Sequence, residues 1–178
     1  MGNQKQNSQN PIISGESQLL DYLRQQGISF QRREHPGVYT CEEAEKYRPR
    51  DKEVLEAVST KNLFLCDKKG KRFYLIVTNC EKRLNLAKLA ITLGESKIRF
   101  ASEVNLMQYL GVTRGAVTML ALVNDENSSV QLCIDTHIWD ADTFLCHPLV
   151  NTSTLILSKA DLVKFFDLSE HKIKIINM

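Results

Sequence analysis

Apolar residues near the start of the chain recur at helical spacing. Leu19, Leu20 and Leu23 follow Ser17 at intervals that place them on one face of a helix, and Gly27 ends the pattern. The sequence therefore predicts a first amphipathic helix that begins near Ser17 and stops before Gly27. Similar spacing predicts further helices at residues 40–47, 85–93 and 102–110 and after Ser158, and a weak helical turn at residues 51–58.

Two of these helices have clear starting signals. Thr40 is a favourable N-cap, and Glu43 three residues later completes a capping box, so a short helix should follow Thr40. Ser102 begins the helix at residues 102–110, which Gly111 ends. Four residues are expected on the buried side of that helix: Val104, Leu106, Met107 and Leu110.

Short apolar runs bounded by polar turns predict β-strands. The runs at residues 61–66 and 72–78 are separated by a polar turn at 67–71, which predicts a β-hairpin. Further strands are predicted at residues 28–33, 130–134, 155–157 and 173–176. Because helices alternate with hairpin strands, we expect an α+β (mixed α/β) fold, with a single domain built on a central mixed or antiparallel sheet flanked by helices.

Length, composition and charge limit the possible classes of protein. The chain has 178 residues, of which 43% are hydrophobic and 25% charged, as in a one-domain globular protein. Residues 1–16 are rich in Asn, Gln, Ser and Gly, so we expect a disordered N-terminal arm before a folded domain at residues 17–178. A net charge of +2 argues against nucleic-acid binding through a large basic surface, so any such role must be local.

The cysteines and the apolar runs bear on the cellular location. The five cysteines are odd in number and widely spaced and form no CxxC pair, which indicates reduced, buried thiols and no zinc site. No apolar run has the length of a membrane span, and the N-terminus lacks a signal sequence. We therefore expect a cytoplasmic protein.

The stretch 59–65 places a lysine and a carboxamide where an apolar strand begins. Lysine is seldom buried without a partner, so Lys61 is either a solvated strand end or a cation that meets an anionic or carbonyl ligand. Local composition favours the solvated end. The familiar GxSxG, Walker, HExxH and GxGxxG patterns are absent, so no common catalytic motif decides between the two interpretations.

Three other segments carry polar or flexible residues. The loop at 111–118 is rich in small residues and suits a close backbone approach to a ligand, although a tight turn has the same composition. His147 is either a general base or a hydrogen-bonded structural residue. Residues 151–154 offer donors and acceptors to a ligand, or they cap a turn.

Four short motifs occur in order along the chain: His35-Pro36 with Val38-Tyr39-Thr40, Thr60-Lys61-Asn62-Leu63-Phe64-Leu65, Gly115-Ala116-Val117-Thr118, and His147-Pro148-Leu149-Val150-Asn151-Thr152. In order and spacing they resemble the YbaK-like, prolyl-tRNA-synthetase-associated editing-domain family. The resemblance covers about residues 17–177. It is strongest to freestanding members that hydrolyse alanine mischarged on proline tRNA.

The resemblance implies a deacylase that cleaves the ester between an amino acid and the terminal ribose of a tRNA. Lys61 matches the family's key lysine, and Asn62 is implied to orient the ester or the α-amino group. The resemblance implies no metal ion or organic cofactor. The implied substrate-binding residues are His35, Thr40, Gly115, Ala116, Val117, Thr118 and His147.

The implied partner is the acceptor end of an aminoacyl-tRNA, with prolyl-tRNA synthetase or an elongation factor as further candidates and no membrane. The chain departs from the family pattern at Arg114, where proline is common, at Ala116, and at Met119-Leu120. Two alternatives remain, of which the second is motivated by the altered loop. One is an editor of another mischarged tRNA, carrying cysteine or serine, and the other is a non-catalytic tRNA- or synthetase-binding module with the same fold.

Overall fold

The computed structural model describes residues 12–51, 54 and 56–178. Most of the predicted N-terminal arm and Leu55 of the predicted turn lie outside the described residues. The α-helices are α1 (Glu16–Gln25), α2 (Cys41–Lys46), α3 (Leu86–Leu93), α4 (Glu103–Asn105), α5 (Thr136–Trp139) and α6 (Lys159–Leu168). The strands are β1 (Gln31–Glu34), β2 (Val58–Asp67), β3 (Phe73–Asn79), β4 (Ile98–Phe100), β5 (Val130–Asp135), β6 (Thr143–Cys146), β7 (Ser153–Ser158) and β8 (Ile173–Ile176).

Within the described residues the strands form one mixed sheet of eight. Its order is β1-β7-β6-β2-β3-β5-β8, and β4 also pairs with β2. The β2–β3, β2–β4, β6–β7 and β1–β7 pairs are antiparallel, whereas β2–β6, β3–β5 and β5–β8 are parallel. The predicted fold class and the predicted hairpin at residues 61–78 are therefore confirmed.

The two faces of the sheet pack against different helices. Successive side chains of a strand point to opposite faces, so Phe64 and Leu65 belong to two separate apolar clusters. The face that carries Phe64 packs against α1, α6 and a 3-10 helix at Met119–Asn124. The face that carries Leu65 packs against α3 through Leu89 and Ala90. The sheet is thus buried on both sides, and its helices are held by these two cores.

Local capping signals fix several helix ends as predicted. The Thr40 hydroxyl accepts a hydrogen bond from the Glu43 amide (3.1 Å), and the Glu43 carboxylate accepts one from the Tyr39 amide (2.7 Å). Asn85 caps α3, which ends at the left-handed Gly94, and Ser158 caps α6. These contacts satisfy amide groups that the first turn of a helix leaves unpaired.

Several predicted boundaries and exposures are wrong. The strand predicted at residues 28–33 is β1 at Gln31–Glu34, and the helix predicted at 102–110 is α4 followed by a π-helix at Leu106–Leu110. Val104 and Met107 are exposed at 75% and 49%, so they do not face the core. The sequence pattern missed β4 and β6, which are short strands of three and four residues. Strands this short give too few alternations to be recognised from periodicity.

The expectation of five reduced thiols is also wrong. Cys41, at the start of α2, forms a disulfide with Cys80, which directly follows β3. Their sequence separation is 39 residues, so no spacing rule links them and only the fold brings them together. Cys66, Cys133 and Cys146 are buried and free, as expected.

The residues before α1 are attached to the rest of the fold by hydrogen bonds. Ile13 exchanges two hydrogen bonds with the Asn124 side chain, at 2.8 and 2.9 Å, which connects the residues before α1 to the 3-10 helix.

In the part of the chain that the structure describes, no helix is both long and apolar enough to cross a lipid bilayer.

Candidate functional site

A cavity of about 1420 Å³ opens where one edge of β2 lacks a strand partner. On this edge β6 pairs with Val58 and Ser59, and β4 pairs with residues 65–67. Residues 60–63 between them pair with β3 on the opposite edge, but no described strand pairs with them on this one. A free strand edge exposes backbone donors and acceptors, so the gap places polar backbone groups beside the cavity.

The direction of the free backbone groups follows from the neighbouring hydrogen bonds. The Asp67 amide donates to Arg72 (3.0 Å), so the odd-numbered residues of β2 direct their backbone groups toward β3. The backbone groups of the even-numbered residues point to the opposite edge of β2, because the Phe64 carbonyl accepts a hydrogen bond from the Ala101 amide (3.0 Å). The backbone N–H and C=O of Asn62 therefore face the cavity.

The side chains of Lys61 and Asn62 leave opposite faces of the sheet because the two residues are adjacent in a strand. The Asn62 amide group donates to the Thr60 hydroxyl (3.4 Å), which in turn donates to the carbonyl of Leu145 (3.0 Å). The Oδ1 atom of Asn62 is buried and has no hydrogen-bond partner within the described chain. Asn62 therefore holds an unused acceptor at the cavity.

Lys61 lies in a row of polar residues that crosses three strands. It pairs with Thr78 of β3, whose hydroxyl group donates to the carboxylate of Asp135 at the end of β5 (3.4 Å). Asp135 is only 1% exposed and forms an ion pair with Lys82 at 2.7 Å, so its charge is already compensated. In the described part of the chain, Lys61 has no ion-pair or hydrogen-bond partner, and its half-buried side chain lines the cavity.

His147 enters the cavity directly after β6 and is held neutral. Burial lowers the pKa of its imidazole to about 4, a hydrogen bond with the Val117 backbone opposes this shift, and nearby His35 adds to it. Its Nδ1 atom is buried and unpaired within the described residues. At neutral pH this ring carries no charge and still has a free polar atom.

The pKa of His147 predicts a specific pH dependence of stability. The pKa of the His147 ring is near 6.5 in the unfolded chain and about 4 in the folded protein. Its stabilising contribution to the free energy of unfolding is therefore fully present above pH 6.5. As the pH falls to about 4, the free energy of unfolding should drop by at most about 3 kcal/mol, since the unfolded chain binds the proton first. Urea unfolding at several pH values measures this loss.

A matched pair of variants isolates the contribution of His147. His147→Asn should reduce the loss of stability between pH 6.5 and 4, whereas His137→Asn, at an exposed position of α5, should leave it unchanged. If the free energy of unfolding of His147→Asn fell with pH as steeply as that of the parent protein, the pKa of this ring would not be depressed.

His35 and Thr40 also line the cavity, but both are engaged in structural contacts. The ring nitrogens of His35 lie 2.8 Å from the Pro36 carbonyl and 3.0 Å from the Thr154 hydroxyl, and the ring stacks on Tyr47 at 5.7 Å. Thr40 caps α2. These two residues therefore shape the wall of the cavity from fixed positions.

The loop at 113–118 contributes some of its predicted residues and not others. Gly115, with φ of 89°, and Val117 line the cavity. Ala116 and Thr118 do not line it: Ala116 packs against the core, and Thr118 is fully buried and caps the 3-10 helix. Arg114 stands at the rim and pairs with Glu103 at 3.4 Å.

The structure thus brings seven of the nine predicted site residues to one cavity, which are His35, Thr40, Lys61, Asn62, Gly115, Val117 and His147. It adds lining residues that the sequence did not single out: Tyr47, Arg48, Cys80 and Phe100. No sequence signal identifies these, because they come from three separate segments, with only Tyr47 and Arg48 adjacent in the chain. Within the described residues, no three histidine, cysteine or acidic side chains converge in a way that could hold a metal ion.

Comparison with known proteins identifies the class to which this fold and cavity belong. The chain matches the sequence model of the aminoacyl-tRNA editing domain over residues 35–165, a range that contains every cavity-lining residue. The chain therefore belongs to the aminoacyl-tRNA editing domain family. It is an enzyme of the aminoacyl-tRNA deacylase class, as the sequence predicts.

Individual relatives agree with this family. The chain is 36% identical over 159 residues to the prolyl-tRNA editing protein ProX of Acetoanaerobium sticklandii, covering 89% of this chain and 93% of that protein. It is 35% identical over 162 residues to prolyl-tRNA synthetase associated domain-containing protein 1 of Danio rerio, covering 86% and 82%. A crystal structure described as a proposed trans-editing enzyme for prolyl-tRNA synthetase superposes with a TM-score of 0.67 at 16% identity, covering 93% and 99%.

Proposed function

We propose that this protein acts in trans to hydrolyse alanine mischarged on proline tRNA. The observation that carries the proposal is the pairing of Lys61, a cation without a partner in the described chain, with the free backbone edge at Asn62 in one cavity. Ester hydrolysis develops negative charge on the carbonyl oxygen. An ammonium group and a backbone N–H are donors of the kind that stabilise such a charge.

The α-ammonium group of the substrate suits the unpaired acceptors of the cavity. Asn62 Oδ1 and His147 Nδ1 have no partners among the described residues, and burying an acceptor without a donor is unfavourable. An aminoacyl ester brings three N–H donors on its ammonium group. The neutral state of His147 removes the repulsion that an imidazolium would exert on this group.

The attacking nucleophile in this proposal is water. The substrate supplies a ribose hydroxyl next to the ester, which can accept a hydrogen bond from that water or donate one to the leaving oxygen. The protein's own part is to position the ester and to stabilise charge, with no step that forms a covalent bond to a side chain.

Selection of the amino acid must depend mainly on size and shape. Alanine has no polar side-chain group to recognise, and the cavity lining includes the apolar Leu63, Val117 and Leu145. A larger proline ring is rejected by steric overlap, whereas serine, which adds one hydroxyl group, is rejected by at most about 100-fold. Cysteine and serine are therefore the competing substrates.

The proposal also concerns partners and location. The acceptor end of the tRNA is the substrate, and prolyl-tRNA synthetase, which produces it, is the proposed partner protein. An elongation factor that carries aminoacyl-tRNA is a second candidate. Both belong to the compartment of translation, so we propose a cytoplasmic protein.

A deacylation panel tests the proposed substrate. Proline tRNA charged with alanine, serine, cysteine or proline is incubated with the protein, and the remaining ester is measured over time. We expect the highest kcat/KM for alanine and at least about a 10-fold lower value for proline. Faster hydrolysis of the serine or cysteine ester would show that one of these is the substrate instead. Binding of tRNA without any turnover would show that the protein is a non-catalytic binding module.

A further inference from the structure

The exposed aromatic side chains of the described chain all line the same cavity. Tyr39, Tyr47 and Phe100 are exposed at 82%, 45% and 58%, and they are the aromatic members of the set of exposed large apolar residues. Tyr39 and Tyr47 flank the two ends of α2, and Phe100 is the last residue of β4. Exposed apolar residues that gather at one site usually mark a binding surface.

Two of these rings have free faces. Tyr47 stacks on His35 at 5.7 Å, so one of its faces is occupied. No described aromatic ring or cation stacks on Tyr39 or Phe100. Neither ring belongs to the apolar core. Tyr39 and Phe100 therefore contribute little to the packing of the fold and are available to a ligand.

The charges around the cavity indicate how a nucleic-acid ligand would be held. The rim arginines already have acidic partners: Arg48 lies 3.5 Å from Glu45, and Arg114 lies 3.4 Å from Glu103. The chain as a whole carries a net charge of only +2. Contacts with phosphate groups can therefore supply only part of the affinity, and stacking of bases on aromatic rings is the sequence-tolerant alternative.

We propose that Tyr39 and Phe100 form a stacking platform for the unpaired bases next to the terminal adenosine of the tRNA. The inference rests on the proposed function, because the ester then lies inside the cavity and the bases before it pass over the rim. Single-stranded RNA is commonly recognised by stacking of unpaired bases on exposed aromatic rings. The two rings thus align the RNA end while Lys61 and Asn62 act on the ester.

Binding of an RNA hairpin that ends in the unpaired tRNA 3′ sequence tests this platform directly, without any charged amino acid. The hairpin carries a fluorescent label, and its Kd is measured by anisotropy. Tyr39→Leu and Phe100→Leu should each raise Kd by about 5- to 150-fold, the range expected for one stacked base. Tyr39→Phe and Phe100→Tyr keep an aromatic ring and should restore binding. Ile91→Ala, at a position of α3 that is 79% exposed, is the control and should have no effect.

An abasic nucleotide next to the terminal adenosine provides the complementary change in the RNA. It should weaken binding to the parent protein by a similar factor and should cause little further loss in at least one of the two leucine variants. Additive losses in both leucine variants, or an unchanged Kd in both of them, would overturn the platform.

The binding test is independent of the proposed reaction. If the panel shows no hydrolysis but the leucine variants still lose RNA affinity, the platform stands and the proposed reaction fails. If hydrolysis occurs and the leucine variants bind the hairpin as the parent does, the reaction stands and the platform fails.

Discussion

Replacing Lys61 with alanine is expected to lower kcat/KM for alanyl-tRNA(Pro) by about 100- to 1000-fold, the usual loss when one charge-stabilising donor is removed. Lys61 lines the cavity and has no partner in the described chain, so its charge is available to the substrate. For the same reason the fold should lose little, and the free energy of unfolding should change by less than about 0.5 kcal/mol. Single-turnover deacylation and urea unfolding measure the two quantities.

Two further variants separate the position of the charge from its presence. Lys61→Arg keeps a cation with a different shape and should recover part of the rate. Lys88→Ala removes an exposed cation on α3, outside the candidate site, and should leave the rate unchanged. If folded Lys61→Ala protein hydrolyses the ester at the parent rate, Lys61 has no role in the reaction.

Loss of the Cys41–Cys80 disulfide is expected to destabilise the protein by about 3–4 kcal/mol. The bond closes a loop with a sequence separation of 39 residues, and cross-links of this size strongly reduce the entropy of the unfolded chain. Both cysteines also line the cavity, so the bond fixes the wall formed by α2 against the end of β3. Urea unfolding with and without a reducing agent measures the effect.

Single and double substitutions test whether the two cysteines act as one unit. Cys41→Ser, Cys80→Ser and the double variant should lose the same stability, because each removes the same bond. Burial raises the pKa of the Cys133 thiol to about 11 and that of Cys146 to about 12, and it also raises the pKa of Cys66. An alkylating reagent under native reducing conditions should therefore modify Cys41 and Cys80 first. Additive losses in the double variant would show that no bond joins them.

The predicted elements that agree with the structure are those with strong local signals. The Thr40 and Ser158 caps, and α3 between Asn85 and Gly94, depend on contacts within a few residues of the chain. The hairpin of β2 and β3 needs only two apolar runs and a short polar turn. Where the signal is weak or shared between elements, prediction fails, as at the exposed Val104 and Met107.

The candidate site likewise combines features that the sequence shows with features that it does not show. The motif around Lys61 and Asn62 is visible in the sequence, and strand alternation already implies that their side chains leave opposite faces. The sequence does not show that β6 and β4 stop on either side of residues 60–63 and leave that edge free. It also gives no sign that Thr118 is fully buried while Gly115 of the same loop lines the cavity.

By itself the sequence determined the family, the fold class and the short polar motifs, because these depend on neighbours along the chain and on a recognisable order of segments. The tertiary structure alone decided which motif residues meet in the cavity, which cysteines bond, and where exposed aromatic rings gather. The physical reason is that these features depend on distances between segments far apart in sequence, such as Cys41 and Cys80 or Tyr39 and Phe100. Those distances are set by packing of the whole sheet and its helices.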